Sequence, residues 1–325
     1  MALTYKDTKK QSLAVFGQFG ESKWIPFAKE NAKLPRRDIE ELKGAGIGKF
    51  LVNVAMGASL EQDIEILKKY REKVDIVTCD KGFPLLLDHG IKADYVMICD
   101  CNVLFDRVKN YINESVGVKL ICTPYANLEW TSAWKGDRYF FVNKDSIQTE
   151  KVFLEIFGKG MRVIPAGSNV SNAMVIFFIG VDEYSRINWG GYEKIFLTGY
   201  DYSWQRNGNY YAFSNPIPKR YYMTHRTILD KNGEWVFTSE NLFFSAQWLL
   251  QYARAYDLPM VNCSRQGILT IPNQGNMENE LKKINNSGIL RDIVKSSYGL
   301  AVRLKRDYDD AIQNLNKTRE ALSWQ

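Results

Sequence analysis

The run Lys49 to Met56 (KFLVNVAM) is almost wholly apolar and stops at Gly57, after which the pattern changes period. In SLEQDIEILKKYREK, positions Leu60, Ile64, Ile66 and Leu67 recur at helical spacing, and Ser59 with Gln62 reads as a capping box. The change predicts strand, tight turn, helix. VDIVTCD (Val74 to Asp80) predicts a second buried strand, followed by a short helix through FPLLLDHG with His89 at its C-terminal cap. ADYVMICD (Ala93 to Asp100) and VKLICTPY (Val118 to Tyr125) predict a third and a fourth strand. MRVIPAG (Met161 to Gly167), a helix from Val170 to about Gly180, and YEKIFLTGYD (Tyr192 to Asp201) follow. A long amphipathic helix over TSENLFFSAQWLLQYARAY and a last strand in LPMVNCS complete the series.

Strands that are apolar throughout, alternating with helices, imply a mostly parallel sheet covered on both faces. The expected fold is therefore α/β and Rossmann-like. Residues 46–274 form this domain, 1–45 are a polar, partly helical preface, and 275–325 are a charged helical extension. No internal repeat or low-complexity segment interrupts the pattern.

With 45% hydrophobic and 25% charged residues, the 325-residue chain has the balance of a globular protein. No apolar run reaches the roughly 18 to 20 residues that cross a bilayer, and MALTYKDTKKQ lacks a signal-peptide core. The expectation is a cytoplasmic protein. The net charge of +6 is spread out, except for a basic C-terminal part with interleaved acids. That part reads as a solvated helix face, with peripheral contact at the inner membrane face or a homo-oligomer contact as sharper alternatives. Nucleic-acid binding would need a stronger basic stripe. Five cysteines without paired spacing argue against disulfides, and only two histidines, His89 and His225, make a metal site unexpected.

In open α/β sheets ligands bind outside the carboxyl ends of the strands. Those ends carry Gly57-Ala58-Ser59, Asp80-Lys81, Asp100, Gly167-Ser168-Asn169 and Gly199-Tyr200-Asp201. A glycine turn at a helix start brings backbone N–H groups and the helix dipole to a phosphate, although a plain tight turn fits Gly57-Ala58-Ser59 equally. Ser168 or Asn169 serves either an anion or the helix as N-cap. Asp80 and Asp100 suit ribose hydroxyls, magnesium or capping, and Asp201 suits either a ligand or the loop after it. His225 sits in a polar loop where an imidazole near neutrality can act as a general base. The loop RNGNYYAF (Arg206 to Phe213) crowds aromatics at a strand end, as a hairpin or as a binding loop.

Two sets of residues carry a family resemblance, together covering about residues 47 to 272. Gly57-Ala58-Ser59-Leu60, Asp80, Gly90-Ile91-Lys92-Ala93-Asp94 and Asp100 resemble the family of the archaeal 6-hydroxymethylpterin pyrophosphokinase, which includes the motility-accessory-factor glycosyltransferases. Ser168-Asn169, Gly199-Tyr200-Asp201, Asn207 to Phe213 and His225 are similar, in that order, to bacterial lipooligosaccharide sialyltransferases. The resemblance implies that Tyr211, with Tyr202 as a second tyrosine, hydrogen-bonds the phosphate of a CMP leaving group. It also implies that His225 deprotonates the acceptor hydroxyl.

The leading expectation is a metal-free transferase that moves a nonulosonic, sialic-acid-like sugar from a CMP-sugar donor to a glycan or protein hydroxyl. Its nucleotide site would comprise Gly57, Ala58, Ser59, Asp80, Asp100, Ser168, Asn169, Gly199 and Asp201. The first alternative is an ATP-dependent 6-hydroxymethylpterin pyrophosphokinase with magnesium on Asp80 and Asp100. The second is a degenerate nucleotide-binding module without activity.

Overall fold

The computed structural model describes residues 20–144, 147–158, 161–167, 169–180, 188–205, 208–214, 225–256 and 258–284. The main sheet contains β1 (Phe50–Val54), β2 (Asp75–Cys79), β3 (Tyr95–Ile98), β4 (Lys119–Cys122), β5 (Arg138–Asn143), β6 (Arg162–Ile164), β7 (Lys194–Thr198) and β10 (Met260–Asn262). Their order is β10-β7-β1-β2-β3-β4-β5-β6. All neighbouring pairs are parallel. A separate antiparallel hairpin joins β8 (Arg226–Leu229) to β9 (Trp235–Thr238). The α/β, Rossmann-like expectation holds.

Eight α-helices are found among the described residues: α1 (Ile25–Asn31), α2 (Ile64–Tyr70), α3 (Gly82–Asp88), α4 (Leu128–Ala133), α5 (Ile147–Phe157), α6 (Val170–Ile179), α7 (Glu240–Ala255) and α8 (Met277–Lys283). Because successive strand residues point to opposite faces, β5 shows why both faces must be covered. Phe140 packs on Phe157 of α5 with centroids 4.9 Å apart, while Phe141 packs on Phe177 of α6 at 5.8 Å. One core gathers Val96, Ile98, Leu120, Cys122, Trp130, Trp134, Phe140 and Phe153. On the opposite face α6, apolar nearly all round and buried from Asn172 to Ile179, packs against β1, β2, β3 and β6. It carries the chain back across the sheet, so β7 pairs on the other side of β1. The strand order therefore reverses between β1 and β7, where this class of fold opens a crevice.

Several elements differ from the sequence reading. The first helix is split into a 3-10 turn, Ala58–Gln62, and α2. Ser59 makes no capping box, because its hydroxyl donates to the buried carboxylate of Asp201. The pair α4–β5 and the helix α5 were not anticipated, although RYFFVN is a strand-like run in its own right. The described part of the preface packs into the domain. Ala28 and Asn31 of α1 are fully buried, and the Asn31 amide donates to Pro124 O at 2.8 Å and Ala126 O at 2.9 Å. His89 does cap α3, with Gly90 following at φ +73°.

The chain divides into two units after Lys282. Of the expected helical extension, α8 is described and residues 285–325 lie outside the described residues. No helix among the described residues is long and apolar enough to cross a membrane.

Candidate functional site

Two glycine turns interlock where the strand order reverses. The Gly57 N–H donates to Gly199 O at 2.8 Å, and Ala55 N–H donates to Thr198 O at 2.9 Å. Gly199 holds φ at +69°, and a Cβ there would lie 2.2 Å from Ala55 O. Only glycine allows this approach, because any side chain would strike backbone. Asp201, fully buried behind the turn, accepts from the Ser59 N–H at 2.8 Å, from the Ser59 hydroxyl, and from the Gln266 amide at 3.1 Å. Burial lifts its carboxyl to about 6, with the Ser59 hydrogen bonds opposing the rise. Ser59 and Asp201 thus clamp the turn from behind.

The aromatic loop folds onto the same point. The Ala212 N–H donates to Met56 O at 2.9 Å, and Glu61 accepts from Asn209 Nδ2 at 3.0 Å and from the Phe213 N–H at 2.7 Å. Tyr210 stands edge-on to Trp204 with centroids 4.8 Å apart, and Tyr211 edge-on to Tyr210 at 4.5 Å. The Lys81 ammonium sits over the Tyr211 ring, 3.8 Å from its centroid. Opposite the loop, Asn169 caps α6 by accepting from the Ser171 N–H at 2.8 Å. The Tyr200 hydroxyl donates to Ser171 O at 2.8 Å, and the Tyr202 hydroxyl donates to Asn172 Oδ1.

These parts enclose a cavity of about 150 Å³, with Gly57, Asp80, Asn169, Gly199, Tyr202 and Tyr211 among its walls. Burial pushes the phenols of Tyr200 and Tyr202 up, and that of Tyr210 to about 12, so all remain protonated donors. Burial also raises Tyr211, with Cys79 and Asp80 adding to the rise, while a hydrogen bond from Tyr210 and the charge of Arg107 oppose it. Asp80 is raised by burial against the pull of Lys81 and Arg107.

Six of the twelve expected site residues therefore meet at one cavity. Ala58, Ser59 and Asp201 lie in or behind its wall without lining it. Asp100 is exposed, outside the cavity, and accepts from the Asn102 N–H at 2.8 Å. His225 does not line the cavity either; its ring stands edge-on to Trp204 at 4.7 Å. Ser168, and with it Arg206 and Asn207 of the loop, lies outside the described residues.

The sequence reading missed Lys81, Tyr210, Ser171 and Leu242 as wall residues. Lys81 and Tyr210 were visible as neighbours of expected residues, whereas Leu242 carries no local signal. Among the described residues no three Asp, Glu, His or Cys side chains converge as metal ligands.

A family model described as 6-hydroxymethylpterin diphosphokinase MptE-like matches residues 26–207. Among solved structures, a MAf glycosyltransferase from Magnetospirillum magneticum AMB-1 matches with a TM-score of 0.55 at 14% identity, over 81% of this chain and 41% of that one. The likeness at that identity is one of fold, and the chain spans about two fifths of that protein's length. No curated protein matches the chain.

Proposed function

We propose, from the premise that this chain belongs to the MptE-like family, that it is a transferase moving a glycosyl group from a CMP-activated, sialic-acid-like donor to a hydroxyl of a glycan or protein. One observation carries the reading. The loop bearing Tyr210 and Tyr211 is pinned to the end of β1, so phenol donors face the glycine turns and the N-terminus of α6 across one cavity. Helix N-termini and glycine turns suit a phosphate, and phenols suit the charge that grows on it.

In this reading the acceptor oxygen bonds to the anomeric carbon as the bond from that carbon to phosphate oxygen breaks. The electron pair of the broken bond passes to the phosphate, where the Tyr211 hydroxyl donates. The acceptor's proton passes to Asp80, a carboxylate of the cavity wall, while His225, the base implied by resemblance, packs on Trp204. The reaction as proposed uses no metal. In the diphosphokinase alternative Asp80 and Asp100 would hold magnesium to neutralise phosphate charge, but Asp100 is exposed and held in its own turn, so the pair does not fit that role.

The test is CMP release from CMP-N-acetylneuraminate, with and without EDTA, beside a thermal-shift series of CMP, CDP, UDP, ADP and ATP. A ligand that binds only the folded state raises its midpoint by mass action. A CMP shift with EDTA-insensitive release supports the transfer. An ATP shift that requires magnesium, with no CMP effect, replaces it with the diphosphokinase.

A further inference from the structure

Among the described residues that wall the cavity, Lys81 carries the one positive charge. It forms no ion pair with any described carboxylate. Instead its ammonium rests on the Tyr211 ring at 3.8 Å. An ammonium that is neither paired nor fully solvated is an unusual arrangement for lysine, whose charge is compact and strongly hydrated. The ring's negative face offsets part of the lost hydration. The wall holds one carboxylate, Asp80, and is otherwise made of neutral phenols, amides and apolar groups, so Lys81 is the counter-charge it offers an incoming anion, and it stands beside the hydroxyl already assigned to the phosphate.

The backbone holds Lys81 there. β2 ends at Cys79, and the Thr78 hydroxyl ties it to β1 by donating to Val54 O at 3.0 Å. Gly82 then opens α3 so close to β2 that a Cβ would lie 1.9 Å from Thr78 Oγ1. The turn between them has little freedom, so the lysine stem leaves it toward the cavity and the Tyr211 ring.

We propose that Lys81, stacked on Tyr211, is the phosphate-binding cation of this site, and that ammonium and phenol act as one unit on a single phosphate group. When the sugar leaves, the electron pair of the broken carbon–oxygen bond rests on that phosphate, and both groups meet the added charge. A positive charge over the ring also draws electron density away from the phenol O–H, which makes the hydroxyl a stronger donor. One lysine suits a monophosphate better than a diphosphate. The assignment rests on the nucleotide-donor reading above and deepens it.

The experiment is calorimetric titration of the full chain, as wild type, Lys81→Gln and Lys81→Arg, with CMP against cytidine and ATP against adenosine. Each pair differs only in phosphate. Wild type should bind CMP more tightly than cytidine. Lys81→Gln should weaken CMP roughly 10- to 100-fold, the worth of a charged hydrogen bond, and leave cytidine unchanged. Lys81→Arg should keep most of the preference. The thermal midpoint without ligand shows that each variant is folded.

Lys81→Gln binding CMP like wild type, or weakening CMP and cytidine alike, overturns the assignment while leaving the donor reading standing. If wild type ignores CMP and prefers ATP to adenosine, the glycosyl reading fails and the lysine is judged on ATP instead. There, selective loss in Lys81→Gln sustains it and an unchanged affinity overturns it. A wild type that distinguishes neither pair overturns both.

Discussion

Gly57 and Asp201 meet so closely that a Cβ on the glycine would lie 2.6 Å from the aspartate Cγ and 2.8 Å from its Oδ2. Nothing at this junction can move aside cheaply. The glycine also donates to Gly199 O, and the carboxylate is held by Ser59 and Gln266. The cavity's geometry therefore depends on a contact between the ends of two strands that are far apart in the chain.

Gly57→Val should abolish the CMP-induced thermal shift and destabilise the fold by about 1–3 kcal/mol, the usual cost of overpacking. The backbone angle is not the cause, since Gly57 has φ −64°, which valine can adopt. Denaturant titration reads the stability and the thermal-shift series reads the binding. A variant that binds CMP like the parent would refute the phosphate-turn assignment.

Stability should fall as the pH rises from about 4 to 6 and level off above. Burial on folding lifts the Asp201 carboxyl from the ordinary aspartate value of 3.8 to about 6. Across that window the folded state binds more protons than the unfolded state, so the slope is negative. Two units amount to roughly 2–3 kcal/mol. Asp63, Asp80 and Asp94 are raised by burial too and act in the same direction. The difference between wild type and Asp201→Asn in denaturant midpoints across pH isolates the Asp201 share, and parallel curves would contradict it.

Tyr211→Phe and Tyr202→Phe should behave differently. The Tyr211 hydroxyl serves the leaving phosphate, so its loss should lower CMP release about 10²- to 10³-fold with little change in melting. The Tyr202 hydroxyl is committed to buried Asn172, so its loss should cost about 1–3 kcal/mol of stability and little in turnover. Paired kinetic and melting measurements decide; equal kinetic losses would mean that both phenols serve the phosphate.

Asp80→Asn should reduce transfer roughly 10²- to 10⁴-fold, the range of a lost general base, while His225→Ala changes it less than about tenfold. The reverse ranking, with His225→Ala also flattening the acidic limb of the rate profile, would return the base role to His225.

The sequence by itself determined that the sheet is parallel and covered on both faces. Runs such as KFLVNVAM and YEKIFLTGYD admit no solvent face, and the 3.6-residue period between them supplies the helices that cover it. It also marked the strand ends as the place for chemistry. Which of those ends share a wall was decided by tertiary structure. Ser59 and Asp201, 142 residues apart, become partners only because α6 carries the chain back over the sheet and sets β7 beside β1. Locally Ser59 had Gln62 as its natural cap partner, and a buried carboxylate, which needs donors far more than an exposed amide does, won the hydroxyl. Tyr202 and Tyr211 are alike in sequence and both line the cavity, yet Asn172 engages the hydroxyl of Tyr202 while the Tyr211 ring carries the Lys81 ammonium. Periodicity records how much of each residue is buried, and so it reveals elements. It carries no record of which buried group lies opposite which, because that depends on the crossing of distant segments.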